Sequence, residues 1–210
     1  DKVDSTIGHY ASYLREWSAR SYKDLILSVP NTFISDKKNV VLNKDIFDAI
    51  KTVEVDLAYF DPPYGSNNEK MPPSRVRYSA YYHIWKTICL NDKPKLFGKS
   101  KRRIDSRDQK SASIFEDFRR NPETNKFIVI EAIDKLLQKT NAQYILLSYS
   151  SGGRATFSEL KEVINKNGNL IHVERINYKE NVMKGMRWTN EWINDDEGHH
   201  QEYLFLMERK

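Results

Sequence analysis

The chain has 210 residues, of which 39% are hydrophobic and 30% charged, with a net charge of +5 and a mean hydropathy of −0.71; this suits one domain with a real core. The lone cysteine, Cys89, excludes an internal disulfide and a zinc site of the paired-cysteine type. No apolar run reaches the ~20 residues of a membrane-spanning helix and no signal peptide opens the chain, so a reducing, cytoplasmic setting is expected.

In chain order, residues 6–18 place Ile7, Tyr10, Ala11, Leu14 and Trp17 at helical spacing behind a capping Thr6. The stretch DLILSVP reads as a short strand stopped by Pro30. Val40 to Leu42 reads as a strand, followed by a turn and a short helix over IFDAI. VDLAYF, Val55 to Phe60, is the next strand, and Asp61-Pro62-Pro63-Tyr64 ends it because two prolines cannot extend a ladder. Residues 65–125 are long and irregular, with a helical stretch around Ala80 to Cys89. Residues 126–140 carry apolar side chains at 127, 130, 133, 136 and 137, an amphipathic helix. QYILLSYSS is a buried strand before Gly152-Gly153, and TFSELKEVINKNG is a helix with a glycine stop at Gly168. LIHVERINY and QEYLFLMER are the last strands. This alternation predicts an α/β sheet, mostly parallel, with the last two strands as an antiparallel pair at one edge.

The charge is concentrated. Between Ser74 and Lys110 there are eleven Lys and Arg against three acids, Asp92, Asp105 and Asp108, interleaved with Tyr78, Tyr81, Tyr82, His83 and Trp85. Cations match phosphates and exposed aromatics match bases. Candidate DNA contacts are therefore Arg75, Arg77, Tyr78, Tyr81, Tyr82, His83, Lys99, Lys101, Arg102, Arg103 and Arg107, with Arg187 in the polar loop before the last strand. A solvated basic loop with tyrosines packed beneath it is the plainer alternative.

DPPY sits at the carboxyl end of a strand, where open α/β sheets bind their ligands. A carboxylate and a backbone carbonyl, from Asp61 and Pro62, can each accept one hydrogen of an exocyclic amine and aim its lone pair at an electrophile. Pro62 and Pro63 fix φ near about −65°, which holds that carbonyl. Tyr64 offers a face on which a base stacks, a contact of about 1–3 kcal/mol. A base inside a duplex must be flipped out to reach it.

The block DLAYFDPPYGSNN, with YYHIW and LLSYSSGG downstream, resembles the DNA adenine-N6 methylase family. The resemblance covers about residue 39 to the end. It implies an S-adenosylmethionine-dependent enzyme that methylates adenine in duplex DNA, within a restriction–modification system, on an incomplete Rossmann-like methyltransferase sheet. Residues 39–210 would be the catalytic portion, with a DNA-contacting insertion at 65–125. Residues 1–38 would be a helical or extended segment ending a preceding or target-recognition region. By the same resemblance Asp61, Pro62, Pro63 and Tyr64 are catalytic. Asp45 and Phe60 with Asp61 line the methyl-donor pocket, although Asp45 also stands where a helix cap would and Phe60 where a core residue would. Ser148 to Gly153 resembles the loop that closes the catalytic pocket. His199-His200 with Glu197 reads as a solvated turn, and no metal is implied.

The pattern is incomplete. The family's glycine-rich cofactor loop is absent, and Gly152-Gly153 lies downstream of DPPY. The chain supplies about five strands of a sheet that needs seven, and it opens on DKVDST without a methionine. The expectation is that a preceding segment, or a second polypeptide, brings the loop. RNA or a protein glutamine as substrate, or a DNA-binding subunit that performs no chemistry, are the alternative readings.

Overall fold

The computed structural model describes residues 28–65, 78–98, 101–107, 113–177 and 201–210, apart from the side chain of Tyr81. The predicted helix at 6–18 lies outside them. Residues 28–44 carry no strand, and Val40, Val41 and Leu42 are exposed. The predicted strand at 40–42 is therefore corrected: three β-formers make a strand only where a neighbour takes their backbone hydrogen bonds. Among the described residues the sheet has four strands, one fewer than counted from the sequence.

A four-residue helix, α1 (Ile46–Ala49), leads into strand β1 (Glu54–Phe60), which ends one residue before Asp61. Two short helices follow, α2 (Tyr78–Tyr81) and α3 (His83–Leu90), then a small antiparallel hairpin, β2 (Leu96–Phe97) with β3 (Arg102–Arg103). Helix α4 (Ile128–Lys139) matches its predicted range, and buries Val129, Ile130, Ala132, Ile133, Leu136 and Leu137. Strand β4 (Asn141–Ser150) leads to helix α5 (Phe157–Asn167), which Thr156 and Glu159 start with a reciprocal capping box. Strands β5 (Gly168–Asn177) and β6 (Gln201–Arg209) complete the chain.

The sheet order is β1-β4-β6-β5. Strand β1 runs parallel to β4, while β6 runs antiparallel to both β4 and β5. Three strands thus share one direction. The last two strands form the antiparallel pair at one edge that the sequence suggested, but the reversed strand β6 is the inner member and β5 is outermost. Side-chain chemistry explains the order. Strand β6 buries Tyr203, Phe205 and Met207 on alternate positions, as a central strand does. Strand β5 exposes His172, Glu174 and Arg175, which suits an edge.

Register puts Ala58 and Phe60 of β1, Ile145, Leu147 and Tyr149 of β4, and Tyr203, Phe205 and Met207 of β6 on one face. Helices α4 and α5 pack together, and their apolar faces join these strands in one core. Leu57 and Tyr59 point to the opposite face and stay 52% and 57% exposed. Strand β1 is also the outermost strand of the sheet among the described residues.

Gly168 ends α5 as predicted, but by a different device. Its φ of −176° is extended backbone, not the left-handed cap expected from sequence. The position is small because a Cβ there would meet the Glu208 carbonyl oxygen at 2.2 Å.

Candidate active site

The sheet topology gathers one set of polar groups. Asp61 follows the carboxyl end of β1, and Ser148 and Ser150 lie at the carboxyl end of β4. Because β6 runs backwards, its first residues, Gln201 and Glu202, arrive at the same sheet edge, where Glu202 is in register with Ser150. Tyr64 stands among them. Its hydroxyl lies 2.6 Å from Asp61 Oδ1, 2.6 Å from Glu202 Oε1 and 3.2 Å from Ser148 Oγ. Ser148 Oγ also donates to Glu202 Oε1 at 2.6 Å. Burial, then the hydrogen bonds to Asp61 and Glu202, push the Tyr64 phenol well above its ordinary value.

The DPPY backbone is held from below. The Tyr64 carbonyl accepts from the Arg154 N–H at 2.9 Å and from the Tyr149 hydroxyl at 3.1 Å. Tyr149 is fully buried, accepts in turn from the Ala155 N–H, and packs its ring 5.0 Å from that of Tyr64. Gly153 is what lets the chain pass this ring: a Cβ there would sit 2.5 Å from a Tyr149 ring carbon. Arg154, 3% exposed, donates to the Phe118 carbonyl and lies over the Phe127 ring. The segment expected to close a pocket, Ser148 to Gly153, therefore buttresses Tyr64. Replacing Tyr149 with Phe is expected to destabilise the protein by about 1–3 kcal/mol, because the Ala155 N–H loses its buried acceptor and the Tyr64 carbonyl a donor; urea denaturation measures this.

Beside this cluster lies a cleft of about 770 Å³. Asp45, Phe47, Tyr59 and Phe60 through Pro63 line it, with Ser113 to Phe115 opposite. Asp45 and Asp61 thus share one cleft although sixteen residues apart in sequence. Asp45 is also the helix cap, its Oδ1 accepting from the Phe47 N–H at 2.9 Å. Phe60 belongs to the core and shows only an edge to the cleft.

The basic segment is less uniform than its sequence. Tyr78 and Tyr82 are exposed and stack loosely, with ring centres 5.6 Å apart. Lys101 is exposed with φ +52°, and Arg107 lies over the Phe97 ring. Arg102 is buried and lies over the same ring. Arg103 corrects the sequence reading. It is 4% exposed, grips Asp92 through both terminal nitrogens at 2.5 and 2.8 Å, and donates to Asp105 at 2.9 Å. These bonds, then one from Lys86, hold the Asp105 carboxyl far below the usual carboxylate range. The guanidinium ties the hairpin to α3 and is not presented to a phosphate. His83 is buried at the start of α3, which removes it from the exposed face as well. Arg75, Arg77, Lys99 and Arg187 lie outside the described residues, as do His199, His200 and Glu197.

Three residues of the site were not picked out from the sequence, Arg154, Glu116 and Glu202, and Tyr149 was read only as part of the loop Ser148 to Gly153. Glu116 is 2% exposed, closes a capping box with Ser113, and accepts the Tyr78 N–H at 2.6 Å, which fixes the start of α2 next to DPPY. A glutamate beside Ile114 and Phe115, and another at the head of the apolar run Tyr203 to Met207, were the available signal.

Three comparisons bear on identity. A family model described as D12 class N6 adenine-specific DNA methyltransferase matches residues 1–151. The modification methylase StsI of Streptococcus sanguinis is 25% identical over 210 residues, 99% of this chain and 28% of the relative. The modification methylase LlaI of Lactococcus lactis subsp. lactis is 26% identical over 184 residues, 85% of this chain and 26% of the relative. The type II methyltransferase M.FokI of Planomicrobium okeanokoites is 25% identical over 209 residues, 99% and 28% respectively. The chain therefore spans between 26% and 28% of the length of these three relatives. No solved structure gives a significant match.

Proposed function

Since the chain belongs to the D12 class N6 adenine-specific DNA methyltransferase family, we propose that it is the catalytic portion of a modification enzyme that methylates adenine N6 in duplex DNA. The observation that carries this reading is the position of Asp61 and Pro62: they follow the carboxyl end of β1 and form one wall of the cleft that Asp45 also lines. Asp61 accepts one hydrogen of the target amine and the Pro62 carbonyl the other, which turns a poor nucleophile toward its electrophile. Tyr64, fixed by Tyr149 and Arg154, offers the platform for a base flipped from the duplex.

S-adenosylmethionine supplies the methyl group when bound. The residues present suit such a cationic nucleoside: two carboxylates, Asp45 and Asp61, and the aromatic rings of Phe47, Tyr59 and Phe60 line the same cleft. In this reading the sheet is half of a Rossmann-like methyltransferase sheet. The glycine-rich loop comes from a preceding segment or a second polypeptide, and residues 1–38 end what precedes the catalytic portion. The relatives' names support a restriction–modification role, which would be cytoplasmic. Among the described residues no helix is long and apolar enough to cross a membrane.

Tyr78, Tyr82, Lys101, Arg102 and Arg107 form the DNA-facing part of the insertion, together with Tyr81 and with Arg75, Arg77, Lys99 and Arg187. The buried Arg102 Nη1 lacks a hydrogen-bond partner, which supports an anion there. Lys101→Ala in the full-length protein is expected to lower the log–log salt slope of duplex binding by about 0.9; an unchanged slope would put the duplex elsewhere. The test of the function is methyl incorporation by the full-length protein from labelled S-adenosylmethionine into duplex DNA and RNA. N6-methyladenine in the duplex supports the reading. Label in RNA alone, or none with DNA bound normally, overturns it.

A further inference from the structure

The proton count at Tyr64 leads beyond the amine-binding role of DPPY. Three oxygen–oxygen contacts of 2.6 Å run through the cluster: Asp61 to Tyr64, Tyr64 to Glu202, and Ser148 to Glu202. The two hydroxyls bring only two protons, and a phenol proton bridges one partner at a time. Two protons serve three contacts, so this line of oxygens has a place for one proton more. Asp61, Tyr64 and Glu202 form a connected path from the exposed aspartate into the sheet edge.

We infer that Glu202 is the terminal proton acceptor of the methylation reaction, reached from Asp61 through the Tyr64 hydroxyl. This rests on the adenine-methylation reading above. As the amine accepts the methyl group it sheds a hydrogen as a proton in the same step, so the proton acceptor bears on the rate of transfer. The amine N–H bond breaks and an O–H bond forms on the Asp61 carboxylate. Asp61 then passes a proton to the Tyr64 oxygen as Tyr64 releases its own to Glu202 Oε1. Asp61 is returned as a carboxylate, Tyr64 as a phenol, and Glu202 holds the proton until it reaches solvent. No electron pair leaves the line and no oxidant enters.

The surroundings fit a relay. The Tyr64 phenol is held neutral by burial, so it conducts a proton without resting as a phenolate. Among the described residues, the titratable groups facing Glu202 are Asp61 after β1, Tyr64, and Tyr78 on α2, which also feels Glu116. On the strand side Glu202 faces Ser148 and Ser150 of β4 and Ile176 of β5, none of which titrates in the working range. Glu202 is half-buried, which leaves it a route to water.

The experiment uses the full-length protein and a duplex carrying 2-aminopurine at the target base. Fluorescence without methyl donor reports flipping and affinity; single-turnover methyl transfer from pH 6 to 9 on the natural duplex reports chemistry. Glu202→Gln is expected to keep affinity and flipping within about twofold and to lower the single-turnover rate by about a hundredfold, with a changed pH profile. Tyr64→Phe, which keeps the ring, should fall equally, and the double variant no further, because both cut one path. Glu202→Asp should recover part of the rate. A Glu202→Gln enzyme with the wild-type rate and pH profile overturns the relay. So does additive loss in the double variant, or loss of flipping in step with rate, which marks a structural role. A wild-type enzyme that binds the duplex yet methylates no adenine refutes the underlying reading instead.

Discussion

Asp61→Ala in the full-length protein is expected to lower methyl transfer by about a thousandfold and to leave duplex affinity within about twofold. The separation follows from the geometry. Asp61 is exposed at the end of β1, so its removal opens no cavity in the core. Tyr64 loses one hydrogen-bond partner and keeps Glu202, Ser148 and the two donors on its carbonyl. The stacking platform survives, whereas the amine loses the acceptor that orients its lone pair. The cationic and aromatic groups that meet the duplex are carried by a different part of the chain. Filter binding and single-turnover rates on one preparation check the result. Parallel loss of both would make Asp61 a structural residue.

Gly168→Ala is expected to cost about 2–3 kcal/mol of stability. The new Cβ would lie 2.2 Å from the Glu208 carbonyl oxygen and 2.6 Å from Met207 Cε. The methionine tip can turn away, but the carbonyl belongs to Glu208 of β6, a residue in register with Asn169 on one side and Tyr144 on the other. Relief requires the start of β5 to leave its register with Arg209. Strain is confined to space, since the extended φ is open to alanine. Urea denaturation of the variant beside the parent measures the shift. A midpoint unchanged within error would mean that the two strands separate at this end without cost.

Much of this architecture was legible in the residues. Helices α4 and α5 carry a 3.6-residue apolar period and, for α5, a Thr-x-x-Glu cap. Strand β1 was bounded by its prolines, and DPPY was identified because three uncommon residues meet at one strand end. What failed did so for want of a partner. Val40 to Leu42 has strand composition, yet pairing is a property of two segments and one sequence window sees only one. The place of β6 between β4 and β5 was hidden for the same reason, although the charges on β5 argued for an edge. Arg103 looked like a phosphate ligand because a count of cations ignores that Asp92 and Asp105 fold back on it. Glu202, some 138 residues from Tyr64, becomes visible only when the reversed strand brings its first residues to the DPPY edge.

Strand β1 has a consequence at the bench. It presents an unpaired ladder along one side among the described residues, and Val55, Leu57 and Tyr59 extend beside it as an uncovered apolar row. Such an edge is a template for another copy of itself. Preparations of this chain alone are expected to accumulate as β-rich aggregates as concentration rises. A charged side chain at one outward position, Leu57→Lys, is expected to raise the recovered monomer without touching DPPY, a change that size-exclusion profiles at increasing loads would register.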